Sequence, residues 1–344
     1  MGSLNSSWAV AALSFAIVAS ASAQATLKIG DPAPPLAVGE WVQGELGGLE
    51  SGKVNLVEFW ATWCGPCRAA IPHLNRLHSN HAAQGLVVIG VSDEKPATVR
   101  DFVRRQGPAM TYAVAVDSND QTKNAWMQAA GRSGIPTTFL VGRDGRVLWI
   151  GHPMDKELER ILPSALASKF DPILERQAKP LLEAAERSAR QRNFRDAYTH
   201  LDKVIELDPR VFSAAILRRY ELMLTGEKNP TAADAFLLKA SERFATDPAT
   251  LEEFVNAIVV DPKIEPRNLD LAELLASKMV SAAPERPEVL AAAARVDFAR
   301  GRFTEAVERQ QEAWMLASPA AKASYRRVLD NYRDAAARGA ASAR

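Results

Sequence analysis

Cysteine is almost missing from this chain: two residues in 344. That scarcity excludes a scaffold stapled by several disulfides and a metal site built from four thiolates. An excess of either charge is missing too, since 42 basic and 41 acidic residues leave a formal net charge of +1. Nothing in that balance would draw the chain to nucleic acid or to an anionic membrane surface. Long apolar runs are confined to the start, and no later stretch is long and apolar enough to cross a membrane. What is present is ordinary for a core-forming protein, with 47% hydrophobic and 24% charged residues. A chain of this length is expected to divide into two or three domains.

The first residues read differently from the rest. Trp8 to Ala19 is an uncharged apolar run, too short to span a bilayer comfortably. Ala21-Ser22-Ala23 follows, a small-x-small pattern of the kind that signal peptidase cuts. The leading MGSLNSS carries no Lys or Arg, so its positive charge is the terminal amine alone; an uncleaved apolar anchor is the alternative. The expectation is a cleaved signal peptide over residues 1–23 and an exported, periplasmic protein. Structural disulfides are common in such compartments. With no cysteine to spare, the single pair reads as functional.

From Leu27 a Gly- and Pro-rich entry segment, expected to hold a short hairpin, leads into Val54 to Ala61, a mostly apolar run that predicts a buried central strand. Cys64-Gly-Pro-Cys67 comes next and opens a helix with Ile71, Leu74 and Leu77 at helical spacing, ended by Gly85. Leu86 to Asp93 predicts a second buried strand, and KPATVRDFVRRQG a helix with Pro96 in its first turn. TYAVAVD predicts a third strand, KNAWMQAAG a helix, and TTFLVGRDGRVLWIG a hairpin turning on Asp144-Gly145. MDKELERILPSAL closes this part as an amphipathic helix. Alternating strands and helices with a terminal hairpin argue for a mixed sheet covered on both faces.

After Asp171-Pro172 strand signals vanish, and Ala, Leu, Glu and Arg dominate. An internal repeat accounts for this. Ala197 precedes Pro209 by twelve residues, Ala272 precedes Pro284 by twelve, and Ala306 precedes Pro319 by thirteen, with TAADAFLLKASERFATDP a looser copy. A small residue where two helices cross and a proline past the second helix are the marks of tetratricopeptide-like helix pairs. The large aromatic and the glycine of that pattern are mostly absent, so a generic helical array stays open; an all-α region follows from either.

As half of a zinc site, Cys64 and Cys67 would need two further ligands. His73, His78 and His81 lie nearby but make no second pair at metal-ligand spacing. As a staple, a loop this short restricts the unfolded chain very little. Thiol–disulfide exchange remains. The helix N-terminus after the strand should stabilise a thiolate at Cys64. Cys67, one turn in, should stay a buried thiol until it resolves the mixed disulfide.

Residues 27–168 resemble the thioredoxin superfamily, and within it the exported TlpA/ResA-like branch. GDPAPPL, FWATWCGPC, VVIGVSDEKPATVRDFV and SGIPTTFLVGRDGRV carry the resemblance. It implies that Pro136 is cis and that Ile135 presents backbone groups to an extended substrate beside Cys64. It also implies a proton-transfer role toward the resolving thiol for Glu58, six positions before Cys64, where the commoner residue is Asp. An edge-exposed Glu58 is the alternative. Trp63, Gly65 and Pro66 are assigned to the substrate-binding rim, and Phe59 and Trp60 to the core.

The combined reading is an α/β thioredoxin-like domain over residues 24–170 and a tetratricopeptide-like helical domain over 171–338. The implied activity is that of an exported thiol–disulfide oxidoreductase, a disulfide reductase first, without cofactor or metal. Its expected partners are a disulfide-containing protein substrate, a membrane thiol carrier as electron donor, and a protein or peptide held by the repeats. An oxidase or isomerase competes within enzymes; a peroxiredoxin is disfavoured, because the thiols lack that family's proline–threonine surroundings. From another class comes a repeat-based adaptor or chaperone with an incidental redox domain.

Overall fold

A computed structural model describes residues 26–319 and 321–342. The signal peptide expected over residues 1–23 lies outside the described residues. Within them the first unit is built on β1 (Val38–Gln43), β2 (Val54–Phe59), β3 (Leu86–Ser92), β4 (Ala113–Asp117), β5 (Thr137–Val141) and β6 (Val147–Gly151). They form one sheet in the order β1-β4-β3-β2-β5-β6. Strands β2, β3 and β4 run parallel, while β1, β5 and β6 pair antiparallel to their neighbours.

Every residue of β2 is buried. Leu56 and Trp60 face one apolar layer and Val57 and Phe59 the other. A strand covered on both faces needs apolar residues at successive positions, which is the pattern of VNLVEF apart from its two polar members. The first layer is closed by α1 (Gly65–His81), α2 (Pro96–Gln106) and α4 (Lys156–Leu166). In the β5–β6 turn, Arg143 donates to the carbonyls of Gly52 at 2.7 Å and Gln84 at 2.8 Å, and to that of Leu166 at 3.0 Å. One guanidinium thus ties three chain segments at the end of the sheet away from Cys64.

Two local expectations are corrected. The entry segment forms no hairpin of its own: β1 pairs across the sheet with β4, Trp41 against Ala115, and Gln43 Nε2 donates to the carbonyls of Met110 (2.8 Å) and Tyr112 (2.7 Å). The unpaired edge of β4 offers backbone partners that no short loop inside the entry segment could match. The helix expected over KNAWMQAAG is a short turn, α3 (Gln121–Lys123), followed by a π turn over Asn124–Gln128. The wider turn goes with full burial of Trp126, which stacks edge-on against Phe139.

From α5 (Pro172–Arg190) the described chain is helical: α6 (Phe194–Leu207), α7 (Ser213–Glu221), α8 (Pro230–Ser241), α9 (Pro248–Val260), α10 (Leu269–Ala282), α11 (Pro287–Ala299), α12 (Phe303–Leu316) and α13 (Lys322–Ser342). Asp171, Asn229 and Asp247 cap their helices through side-chain oxygens, with Pro172, Pro230 and Pro248 next. An Asx cap followed by proline fixes a helix start, because the missing N–H is one the first turn leaves unpaired anyway. Helices α5 and α6, α7 and α8, α9 and α10, and α11 and α12 pack as successive pairs. Ala197, Ala233, Ala272 and Ala306 sit at equivalent places in α6, α8, α10 and α12, and all are fully buried. Near the sheet unit, Lys169 Nζ lies 2.7 Å from Glu253 of α9, which also accepts from Ser213, and Ile173 packs on Gly30.

Ala272→Leu tests the close helix crossing. Overpacking is expected to cost about 1–3 kcal/mol and to lower the thermal midpoint. A calorimetric scan matching the parent would show that the crossing has room to spare.

Candidate functional site

The site lies at the C-terminal end of β2, where the chain leaves the sheet at Phe59 and enters α1 at Gly65. Cys64 is the N-cap of α1, and its Sγ accepts from the Cys67 backbone N–H at 3.1 Å. Pro66 belongs to the first turn, where its missing N–H costs nothing. Cys64 and Cys67 are joined by a disulfide with Cα atoms 5.3 Å apart. Cys64 is 5% exposed and Cys67 fully buried, so access from solvent runs through Cys64. Trp63 stands 71% exposed beside it, with Gly65 and Pro66 also at the surface.

The other side of the site comes from the loop before β5. The Ile135–Pro136 peptide is cis, and the Ile135 carbonyl lies 3.9 Å from Cys64 Sγ. Between Trp63 and this loop opens a cleft of about 350 Å³, with Val91, Met127 and Ile135 supplying apolar wall and Arg132 and the Asp93–Lys123 pair supplying charge. The structure therefore brings Trp63, Cys64, Ile135 and Pro136 together from two distant segments.

Glu58 is not at an edge. It is fully buried at the penultimate position of β2, on the sheet face shared with Leu56 and the cysteines, between Gly90 of β3 and Thr138 of β5. Neither carboxylate oxygen has a hydrogen-bond partner, and burial raises its pKa well above the ordinary carboxyl value. His73, buried on α1 with Nδ1 3.8 Å from Glu159, is held below its usual value, chiefly by burial. Among the described residues no cluster of three His, Cys, Asp or Glu side chains is placed to hold a metal ion.

Sequence reasoning missed Glu94. Its carboxylate accepts from the Thr62 N–H at 2.6 Å and the Thr62 hydroxyl at 2.7 Å. That clamp sets the approach of the Thr62-Trp63 turn to Cys64 from the loop after β3. A glutamate at a strand end looks like any surface acid, and only the packing of two loops names its partner.

The AhpC/TSA family matches residues 29–150, which span the sheet unit up to β6. Protein FixW of Rhizobium leguminosarum is 29% identical over 150 residues, covering 41% of this chain and 67% of its own. The thiol-disulfide oxidoreductase ResA of Geobacillus thermodenitrificans is 32% identical over 146 residues, covering 40% of this chain and 78% of its own. Among solved structures, a thiol:disulfide interchange protein of the thioredoxin family from Chlorobium tepidum is similar over 40% of this chain and 97% of its own, at 29% identity and a TM-score of 0.34. The helical region lies beyond residue 150 and outside the matched family segment. By the extent of the ResA likeness, and with its only two cysteines joined at the head of α1, this chain belongs to the ResA-like family of thioredoxin-like thiol–disulfide oxidoreductases.

Proposed function

We propose that the chain is an exported disulfide reductase, in which residues 24–170 carry the thiol chemistry and the helices of residues 171–338 recruit a protein partner. The observation that carries the redox reading is the Cys64–Cys67 pair at a helix N-terminus, with the Ile135 carbonyl and the exposed Trp63 beside the outer sulfur.

In the reduced protein, the Cys67 N–H and the start of α1 stabilise a thiolate at Cys64. That thiolate attacks one sulfur of a substrate disulfide, forming a mixed disulfide and releasing the other sulfur as a thiolate. Cys67 then loses its proton to the Glu58 carboxylate and attacks Cys64 Sγ. The Cys64–Cys67 bond forms, the bond to the substrate breaks, and two electrons have passed to the substrate. Burial raises the Glu58 pKa well above the ordinary carboxyl value, which makes its carboxylate a stronger base toward the Cys67 thiol. The Ile135 backbone, beside Cys64, pairs with an extended substrate, while Trp63, Gly65 and Pro66 form the rim it crosses. A membrane thiol carrier returns the electrons.

The reducing direction is supported by the Gly-Pro between the cysteines, and export by the apolar leader ending in Ala21-Ser22-Ala23. Recruitment is supported by the tetratricopeptide-like spacing of Ala197, Ala272 and Ala306. It is further supported by a cleft of about 540 Å³ among α6, α7 and α8, floored by Ile205, Ile216 and Phe236. A repeat array presents such surfaces along its length.

Cys64→Ser is expected to abolish insulin reduction, while Cys67→Ser accumulates mixed disulfides with extract proteins that mass spectrometry can name. Insulin reduction surviving Cys64→Ser would remove Cys64 as the nucleophile, and a parent chain that reduces no insulin would leave the adaptor. Glu58→Gln is expected to slow resolution of the mixed disulfide on the order of 10²-fold, the lower end of what a positioned general base supplies. Stopped-flow tryptophan fluorescence reads that step directly.

Burial of Glu58 also sets a stability slope. Its folded pKa is raised, so on rising pH the unfolded chain releases this proton first. The contribution is full below the unfolded carboxyl range and is lost up to the folded value. Across that window, wild-type stability should fall relative to Glu58→Gln by about 1.4 kcal/mol per pH unit. Urea midpoints at a series of pH values measure the difference, and parallel curves for the two proteins would place a cation against Glu58.

A further inference from the structure

Behind the disulfide helix the sheet carries a group of buried polar atoms that find no hydrogen-bond partner. They are both oxygens of Glu58, Trp60 Nε1, the Tyr112 hydroxyl and Thr138 Oγ1. Buried polar atoms in folded proteins are nearly always paired, so several orphans in one place call for a physical explanation. These are neighbours. Glu58 pairs in register with Gly90 on one side and Thr138 on the other. A methyl group placed on Gly90 would lie 2.8 Å from Trp60 Nε1 and 3.4 Å from Tyr112 Cε2. The indole N–H and the phenol ring therefore fold over the one position next to Glu58 that has no side chain. Tyr112 lies two residues before Val114, the register partner of Gly90 on β4, which puts it on the same sheet face.

Among the described residues no cation faces this group. The inward residues of α2 are Val99, Phe102 and Val103, and those of α4 are Leu158, Ile161 and Leu162. From α1 come Cys67 and His73, and the imidazole of His73 is turned to Glu159. Burial, and then the Glu58 carboxyl, push the Tyr112 phenol well up, so the two groups lie within electrostatic reach and the phenol keeps its proton.

A carboxylate in such a place can carry charge only if neutral donors support it. We propose that Tyr112 is a positioning residue for the thiol chemistry: its hydroxyl, with Trp60 Nε1 as second donor, holds the Glu58 carboxylate at the moment it takes the Cys67 proton, directly or across one internal water. The donor and acceptor counts match, since two N–H or O–H groups meet two carboxylate oxygens and Thr138 adds a hydroxyl able to do either. Gly90 is the residue that leaves space for the meeting. The proposal rests on the reading of Glu58 as the proton acceptor of Cys67.

The test is the pH dependence of mixed-disulfide resolution in the full chain. A hydrogen bond to the charged form lowers an acid's pKa, so its loss raises it. Tyr112→Phe removes one oxygen from a buried ring. It should move the acid limb of the resolution rate to higher pH by on the order of one unit, given the strength of hydrogen bonds to charged groups. The first attack by Cys64, which does not use Glu58, should not change. Fluorinating the Tyr112 ring makes its hydroxyl a stronger donor and should move the limb the other way, which covers the case in which the Phe variant does not fold. In a Glu58→Gln background, Tyr112→Phe should produce no further shift. Superimposed acid limbs for the parent and the Tyr112 variants would overturn the role of Tyr112 while leaving Glu58 in place. A parent-like profile in Glu58→Gln itself would overturn the role of Glu58 and this proposal with it.

Discussion

Burial of β2 along its whole length is the constraint on which the rest depends. With apolar layers on both faces, the strand cannot slip by one residue without turning Val57 and Phe59 into the layer occupied by Leu56 and Trp60. The register in turn fixes where the chain leaves the sheet, and so where Cys64 caps α1. It also places Glu58 inside the sheet, where its charge is unfavourable by burial. One packing decision thus sets both an outer sulfur reachable from solvent and a buried carboxyl with a raised pKa.

The remaining parts of the site are held by groups with other ties. Glu94 fixes the Thr62 turn, and Arg143 clasps the carbonyls of Gly52, Gln84 and Leu166 at the far end of the sheet. The thiol pair therefore sits on a frame braced at both ends. The cleft between Trp63 and Ile135 is apolar along its walls and charged at its margin.

The helices from α5 onward meet the sheet unit near Gly30 and the β5–β6 turn, away from Cys64. Their stability comes from successive pairs, each crossing over an alanine with no exposed surface. A larger side chain at any of these alanines would have to displace a neighbour, since none of the four has exposed surface.

The sequence by itself determined the alternation of strands and helices, the hairpin on Asp144-Gly145, the loss of strands after Asp171 and the thiol pair at the head of a helix. Each of these is written in local periodicity, capping or turn chemistry. It did not determine that the entry segment would run to the β4 edge rather than fold back on itself, since that choice is made by a partner some seventy residues away in the chain, Gln43 to Tyr112 among them. It left Trp60 as a core residue and Glu58 as a buried acid, with an edge position as the alternative. Tertiary structure alone placed Gly90 beside Glu58, drew Tyr112 and Trp60 over it, and set Glu94 against Thr62. Such meetings depend on inter-strand register and the packing of separate loops, and neither leaves a mark in the spacing of residues along one chain.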